Sequence, residues 1–377
     1  MKIALVCGPF TINKYFAELT SHHQLVAFVS GRWYYNHGDL AIPTQKLHCW
    51  ELLGSRIPKF HGMYRTIFGW NYQMSGLEQA LRDFDVAIVH DMIYAYSYQA
   101  MRARRMHGLK VIYTVAENIP FNYETSLTRA AREEMRQKAT HFIAVSERSR
   151  TALLVEGIEP QRVSVVHQAI DSRPFCRSDG CSVTRHQLGL QERDFVILFV
   201  GRLIWYKGVF DLVYAFKLLV MENPQSNLKL LFVGDGPDRH SLESVVERLG
   251  VRDQTRFVAY IPYDQMPNVY RAANLCVLPS IPSRHWQEQS GYAIKEAMAS
   301  GTPVVTTMSG AIPETVADCA ILVQPNDPKS LFDAMSTILR EPRLGDDLAA
   351  RAQRRVREDL DVEVLGCRLL HLLERVI

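Results

Sequence analysis

The chain of 377 residues has no apolar run that reaches the roughly 18 residues a membrane span needs. Its start, a short apolar strand from Lys2 followed by Gly8 and Pro9, has no signal-peptide apolar stretch, so a cytoplasmic location is expected. Cysteine is sparse and unpatterned. Cys7, Cys49, Cys176, Cys181, Cys276, Cys319 and Cys367 are odd in number, scattered and without a Cys-x-x-Cys spacing, which argues against a disulfide framework and a thiolate zinc site. Strong charge is missing too: a formal net charge of +3 is far from that of a nucleic-acid-binding surface, and no nucleic-acid partner is expected.

What is present is size and a soluble composition. At 47% hydrophobic and 22% charged residues the chain reads as globular, and its length favours two domains over one core. Charge is unevenly divided. Residues 1–175 carry 20 Lys and Arg against 15 Asp and Glu, whereas residues 176–377 carry 23 against 25. The basic first half also holds an aromatic, irregular stretch over residues 31–78, with Trp33, Tyr34, Tyr35, Trp50, Tyr64, Phe68, Trp70 and Tyr72 interleaved with Arg56, Lys59 and Arg65. Most such rings pack internally, but the pattern also suits peripheral contact with an anionic acceptor or with the inner face of a membrane.

Short apolar runs alternate with helical patterns along the whole chain. Residues 2–7, 25–29, 86–89, 111–115, 142–145 and 163–166 read as buried strands, with helices over 13–20, 92–106, 127–138 and onward from Ser146. This is the pattern of a doubly wound α/β domain over residues 1–171. Residues 172–193 are polar and aperiodic and read as an interdomain connection. A second series, residues 194–377, follows: strands at 195–200, 228–233, 257–261, 275–278 and 304–307 alternate with helices. Three helices then close the chain, the last able to return to the first domain.

Doubly wound sheets bind ligands beyond the carboxyl ends of their strands, so residues at strand ends are the candidates. In the first domain these are Gly8, His90, Asp91, Glu117 and Asn118. A histidine at a strand end is as often a satisfied core group as a ligand contact, and a lone glycine there is as often a plain turn. In the second domain the loop after residue 200 reads Gly-Arg-Leu-Ile-Trp-Tyr-Lys-Gly, placing Arg202 and Lys207 between two glycines just before a helix. A guanidinium fork, an ammonium and helix N–H groups are the chemistry of diphosphate binding. Gly234 ends the next strand. Farther on, Glu288 in a loop and Glu296 on the helix opened by Gly291 stand eight positions apart. On one continuous helix that spacing would set them about 80° apart, and a loop-to-helix transition lets both face one crevice. Most Glu pairs are merely solvated, but Glu296 lies among apolar residues, and a carboxylate there needs a partner.

Taken together, G-R-L-x(3)-K-G, V-G-D-G-P, the E-x(7)-E spacing of Glu288 and Glu296, and E-A-M-A-x-G-x-P-V-V resemble the retaining glycosyltransferases of family four, over nearly the whole chain. The resemblance implies a GT-B fold, two Rossmann-like domains facing a central cleft. It implies a nucleoside-diphosphate-sugar donor on the second domain and a glycan, lipid or small-molecule acceptor mostly on the first, with neither cofactor nor catalytic metal. Arg202 and Lys207 would hold the diphosphate, Glu296 the ribose hydroxyls and Glu288 the transferred sugar. His90 would contact that sugar and stabilise the transition state. Gly8, Gly234 and Gly291 join the donor side, and Asp91, Glu117 and Asn118 the acceptor side. Three positions depart from the family pattern: Ser290 stands where a bulky apolar residue is usual, Ala169 replaces a glycine, and Pro9 stands where a second glycine is common. Two other readings stay open: a nucleotide-binding protein without transfer activity, and an inverting transferase or phosphorylase with Asp91 or Glu117 as base.

Overall fold

The structure is a computed structural model that describes residues 1–8, 14–30, 42–49, 70–176 and 181–377. The turn at Pro9 and Phe10 and the aromatic, basic stretch from Arg56 to Phe68 lie outside the described residues. The chain forms two compact units, Met1–Ala169 with Val362–Ile377, and Ile170–Asp361.

In the first unit the strands are β1 (Lys2–Gly8), β2 (Gln24–Ser30), β3 (Thr44–Leu47), β4 (Val86–His90), β5 (Lys110–Val115), β6 (His141–Ala144) and β7 (Val163–Val165). Among the described residues they form one parallel sheet in the order β3-β2-β1-β4-β5-β6-β7. Both faces are covered, so alternate residues enter different cores: Ala4 and Val6 pack on one side with Phe28 and Tyr113, Ile3 and Leu5 on the other with Ile88 and Leu365. That two-sided burial is why these strands read as continuous apolar runs. The helix Val362–Val376 covers the second face beside the 3-10 helix Lys14–Ser21. Gly366 permits their approach, since a Cβ there would lie 2.3 Å from Cγ of Glu18.

β3 falls within the stretch read from sequence as irregular. It is an edge strand of mostly exposed, polar residues, and only its pairing with β2 makes it a strand.

The second unit holds β8 (Phe195–Val200), β9 (Leu228–Val233), β10 (Thr255–Val258), β11 (Leu275–Leu278), β12 (Val304–Thr307) and β13 (Ile321–Val323), parallel in the order β10-β9-β8-β11-β12-β13. β10 lies earlier than the expected 257–261, and β13 was not expected. Residues 172–193, expected as a connection, lie in this unit and include the helix Cys181–Gln187. One buried guanidinium ties the end of this helix to the start of β8: Arg185 donates to the carbonyls of Gln191 at 3.0 Å and Asp194 at 3.1 Å, and to Oδ1 of Asn274 at 2.9 Å. Polar composition conceals such a network. Among the described residues no helix is long and apolar enough to cross a membrane.

In each sheet the strand order reverses once, between β1 and β4 and between β8 and β11. There the adjacent loops leave in opposite directions and open a crevice at the carboxyl edge.

Candidate active site

At the reversal of the second sheet the loops after β8 and β11 touch backbone to backbone. The 3-10 turn Trp205–Lys207 ends at Gly208, whose φ of 70° opens the helix Val209–Glu222, and a Cβ there would lie 1.9 Å from the carbonyl oxygen of Pro279. Gly234 permits a like approach to the Gly201 carbonyl.

This packing presents Lys207 to Glu288. The ammonium donates to Oε2 of Glu288 at 2.6 Å, and the Ser280 hydroxyl donates to the same oxygen at 3.0 Å. Burial works to raise the Glu288 pKa, but Lys207, Ser280 and the Gly291 N–H outweigh it and hold the carboxyl below the usual range. Its backbone is clamped as well: Ala311 N–H donates to the Glu288 carbonyl at 2.8 Å, an approach open only because residue 310 is glycine. Arg202 follows Gly201 at the end of β8; its side chain is exposed and makes no hydrogen bond or ion pair among the described residues.

Glu296 has a different setting. The helix Tyr292–Ala299 starts at Gly291, φ 62°, and buries Glu296 to 8% exposure. The Tyr270 hydroxyl donates to Oε2 of Glu296 at 2.7 Å, and the Tyr263 phenol also bonds to this carboxylate. The partner expected for a carboxylate on this helix is therefore a phenol, supplied by the helix Met266–Ala272.

The carboxyl edge of the first sheet gathers Gly8, His90, Asp91, Glu117 and Asn118. Gly8 has φ 59°, and a Cβ there would meet the Tyr96 ring at 2.4 Å. His90 ends β4 and stacks on Tyr94 with ring centroids 6.3 Å apart; burial lowers its pKa to about 4, so its imidazole is neutral at neutral pH. Asp91 Oδ1 accepts from Met92 N–H at 3.1 Å, and Oδ2 from Glu117 N–H at 3.2 Å. Glu117 in turn accepts from the N–H groups of Asn118 and Ile119 at 3.0 Å each and from Nδ2 of Asn122 at 3.0 Å. Burial pushes Asp91 up to about 6, against its hydrogen bonds and the charge of Arg132. Burial and then the Asp91 charge push Glu117 up to about 7. The residues singled out from sequence thus fall into two sets, one at the carboxyl edge of each sheet.

Two family models match the chain, one described as Glycosyltransferase Family 4 over residues 32–173 and one as Glycosyl transferases group 1 over residues 182–355. The chain belongs to glycosyltransferase family four. Among curated relatives, a D-inositol 3-phosphate glycosyltransferase of Corynebacterium efficiens is 30% identical over 265 residues, 67% of this chain and 60% of that protein. One of the same name from Salinispora arenicola is 34% identical over 211 residues, 52% of this chain and 46% of that protein. The chain thus spans about half of the length of the curated relatives it matches. Among solved structures, Anabaena HepE in complex with UDP and glucose is 18% identical with a TM-score of 0.79 over 100% of both chains. Sucrose-phosphate synthase from Thermosynechococcus elongatus is 20% identical with a TM-score of 0.76 over 100% of this chain and 99% of its own. These likenesses show the GT-B fold.

Within this family-four chain, two features of the site escaped the sequence reading. Lys295, beside Glu296, is buried to 1% exposure and donates to Oγ of Ser290 at 2.6 Å. Burial lowers its pKa to about 7 against the opposing charges of Glu288 and Glu314. It accounts for one departure from the family pattern: the small, polar Ser290 is the acceptor for a buried ammonium. The available signal was a lone lysine inside an apolar helical run. The second feature is an aromatic group around Lys207, whose Nζ lies 4.8 Å from the centroid of the Trp286 ring, itself 4.3 Å from the Tyr206 ring. No short motif announces it, because Tyr206 and Trp286 are 80 positions apart. Among the described residues no three His, Cys, Asp or Glu side chains are grouped to hold a metal ion.

Proposed function

We propose that this protein transfers a sugar from a nucleoside-diphosphate sugar to an acceptor hydroxyl with retention of anomeric configuration, its donor lying at the carboxyl edge of the second sheet. One observation carries the reading: the two carboxylates of the E-x(7)-E spacing sit in different environments, Glu288 ion-paired to Lys207 and Glu296 held by phenols. The leaving diphosphate needs positive charge. Lys207 has three N–H donors, so it can serve Glu288 and a phosphate together, and exposed Arg202 adds a planar fork. In this reading those groups meet the leaving charge without a metal. Glu288, kept ionised, lies against the sugar and stabilises the positive charge that grows at its anomeric carbon. Glu296 accepts the ribose hydroxyls. His90, neutral and at a strand end, is assigned to the transferred sugar on the family resemblance.

The name of the relatives makes D-inositol 3-phosphate the first acceptor to offer. A peripheral contact with an anionic membrane rests on the sequence from Arg56 to Tyr72; sedimentation with anionic vesicles should show binding that weakens as salt is added.

One observation favours a second reading, inversion. Glu117, pushed up to about 7, has the basicity of a general base at neutral pH. The deciding experiment offers a panel of nucleotide sugars with and without D-inositol 3-phosphate and determines the anomeric configuration of the product by NMR. Retained configuration supports the proposal. Inverted configuration, lost in Glu117→Gln, replaces it with the second reading. Nucleotide binding with neither hydrolysis nor transfer across the panel would leave a binding protein.

A further inference from the structure

The phenol beneath Glu296 has a position set by the core. Tyr270 is fully buried, its carbonyl accepts from the Thr302 hydroxyl at 2.8 Å, and its ring lies against Phe175 with centroids 6.2 Å apart. Its hydroxyl points at one oxygen of a carboxylate that is itself nearly buried. Burial and the Glu296 charge raise the Tyr270 pKa well above the ordinary phenol value, so it remains a proton donor across the working pH range. Tyr263, the other phenol on Glu296, meets the same Phe175 ring edge-on at 6.1 Å, but it is 45% exposed on a 3-10 turn, whereas Tyr270 is enclosed by the core.

A glutamate side chain has three rotatable bonds, and holding it in one geometry costs entropy when a ligand must do so. A carboxylate has about four acceptor sites, so it can bind a phenol and a vicinal diol at once. We infer that Tyr270 is the positioning residue for the donor's ribose: its hydroxyl fixes the Glu296 carboxylate in the orientation that accepts the 2′- and 3′-hydroxyls. This rests on the reading of Glu296 as the ribose acceptor. The same contact explains why the E-x(7)-E spacing alone is incomplete as a recognition element. The second glutamate needs an aromatic hydroxyl from 26 positions upstream to hold its geometry.

The test compares UDP with 2′,3′-dideoxy-UDP by calorimetry on the full chain, with GDP and ADP and their dideoxy analogues run in parallel. Wild type should prefer the diol-bearing nucleotide at least tenfold, as expected for hydrogen bonds to a charged group. Tyr270→Phe removes one oxygen and keeps the ring in the core. It should bind UDP about fivefold to tenfold more weakly and bind the dideoxy analogue as wild type does, so that the preference largely disappears. Tyr263→Phe should keep most of it. A role in folding alone would weaken both ligands equally, and undiminished preference in Tyr270→Phe, whatever its thermal midpoint, overturns the inference. Absence of any preference in wild type, or of binding by all three nucleotides, overturns the reading of Glu296 itself and the inference with it. If Tyr270→Phe does not fold, the buried Tyr270 hydroxyl proton in wild type, followed by NMR, replaces it. A shift with UDP but not with the dideoxy analogue supports the inference, and equal shifts or none overturn it.

Discussion

The carboxyl edges of the two sheets share a topology and differ in electrostatics. At the edge of the second sheet, the half-buried carboxylate Glu288 has a cation beside it, so it is held ionised, and exposed Arg202 adds positive charge that no partner among the described residues takes up. At the edge of the first, Asp91 and Glu117 accept from N–H groups and, among the described residues, form no ion pair, and burial raises both, while His90 is kept neutral. The same fold therefore builds one edge suited to an anion and one suited to neutral hydroxyl groups. The difference comes from whether a loop brings a lysine to the carboxylate, as the turn Trp205–Lys207 does.

Breaking the charged edge should have the largest effect. Glu288→Gln should lower turnover by about 100-fold or more while leaving the donor dissociation constant within about threefold, because its charge matters most when the oxocarbenium centre forms. Glu296→Gln should do the opposite and mainly raise that constant. Steady-state kinetics beside donor titration separates the two, and proportional losses in both variants would abolish the division of roles.

The next effect is on the ion pair. Lys207→Ala leaves the half-buried Glu288 without its cation and should cost about 1–3 kcal/mol of stability as well as diphosphate affinity. Arg202→Ala, at an exposed position, should weaken diphosphate binding by about 1.5–3 kcal/mol, spare the nucleoside, and leave the thermal midpoint unchanged. Thermal denaturation with calorimetry on both ligands would reveal the contrast; an equal drop in midpoint for the two variants would mean that Arg202 is structural too.

The smallest effect sharpens the comparison from the other edge. Asp91 and Glu117 have folded pKa values raised to about 6 and about 7, above their unfolded values near 4. Between those limits the folded state binds more protons than the unfolded one, so the stability from these groups is full below about pH 4 and is lost as pH rises towards 7. Glu117→Gln should flatten that decline, whatever it does to absolute stability. Chemical denaturation from pH 5 to 8 reads the slope, and an unchanged slope would show that Glu117 ionises normally.

Much of this is legible in the amino-acid sequence, and the reasons are local. Strands buried on both faces, such as β1 and β8, announce themselves as apolar runs, and Gly208 next to Lys207 marks a loop entering a helix. The edge strand β3 did not, since its residues are polar and only its partner makes it a strand. Arg185 is likewise hidden, because a guanidinium that collects carbonyls is indistinguishable in sequence from a solvated one.

The sequence by itself determined the alternation that makes two doubly wound sheets, the order of their elements, and which charged residues stand at strand ends, because those depend on side-chain periodicity and on neighbours a few positions apart. Tertiary structure alone decided which charges meet and in what state. Lys207 reaches Glu288 across 81 positions and Tyr270 reaches Glu296 across 26, distances over which no propensity acts. Whether His90 is charged, Glu117 protonated or Lys295 neutral follows from how completely packing removes water from each, and that desolvation exists only once the chain has folded.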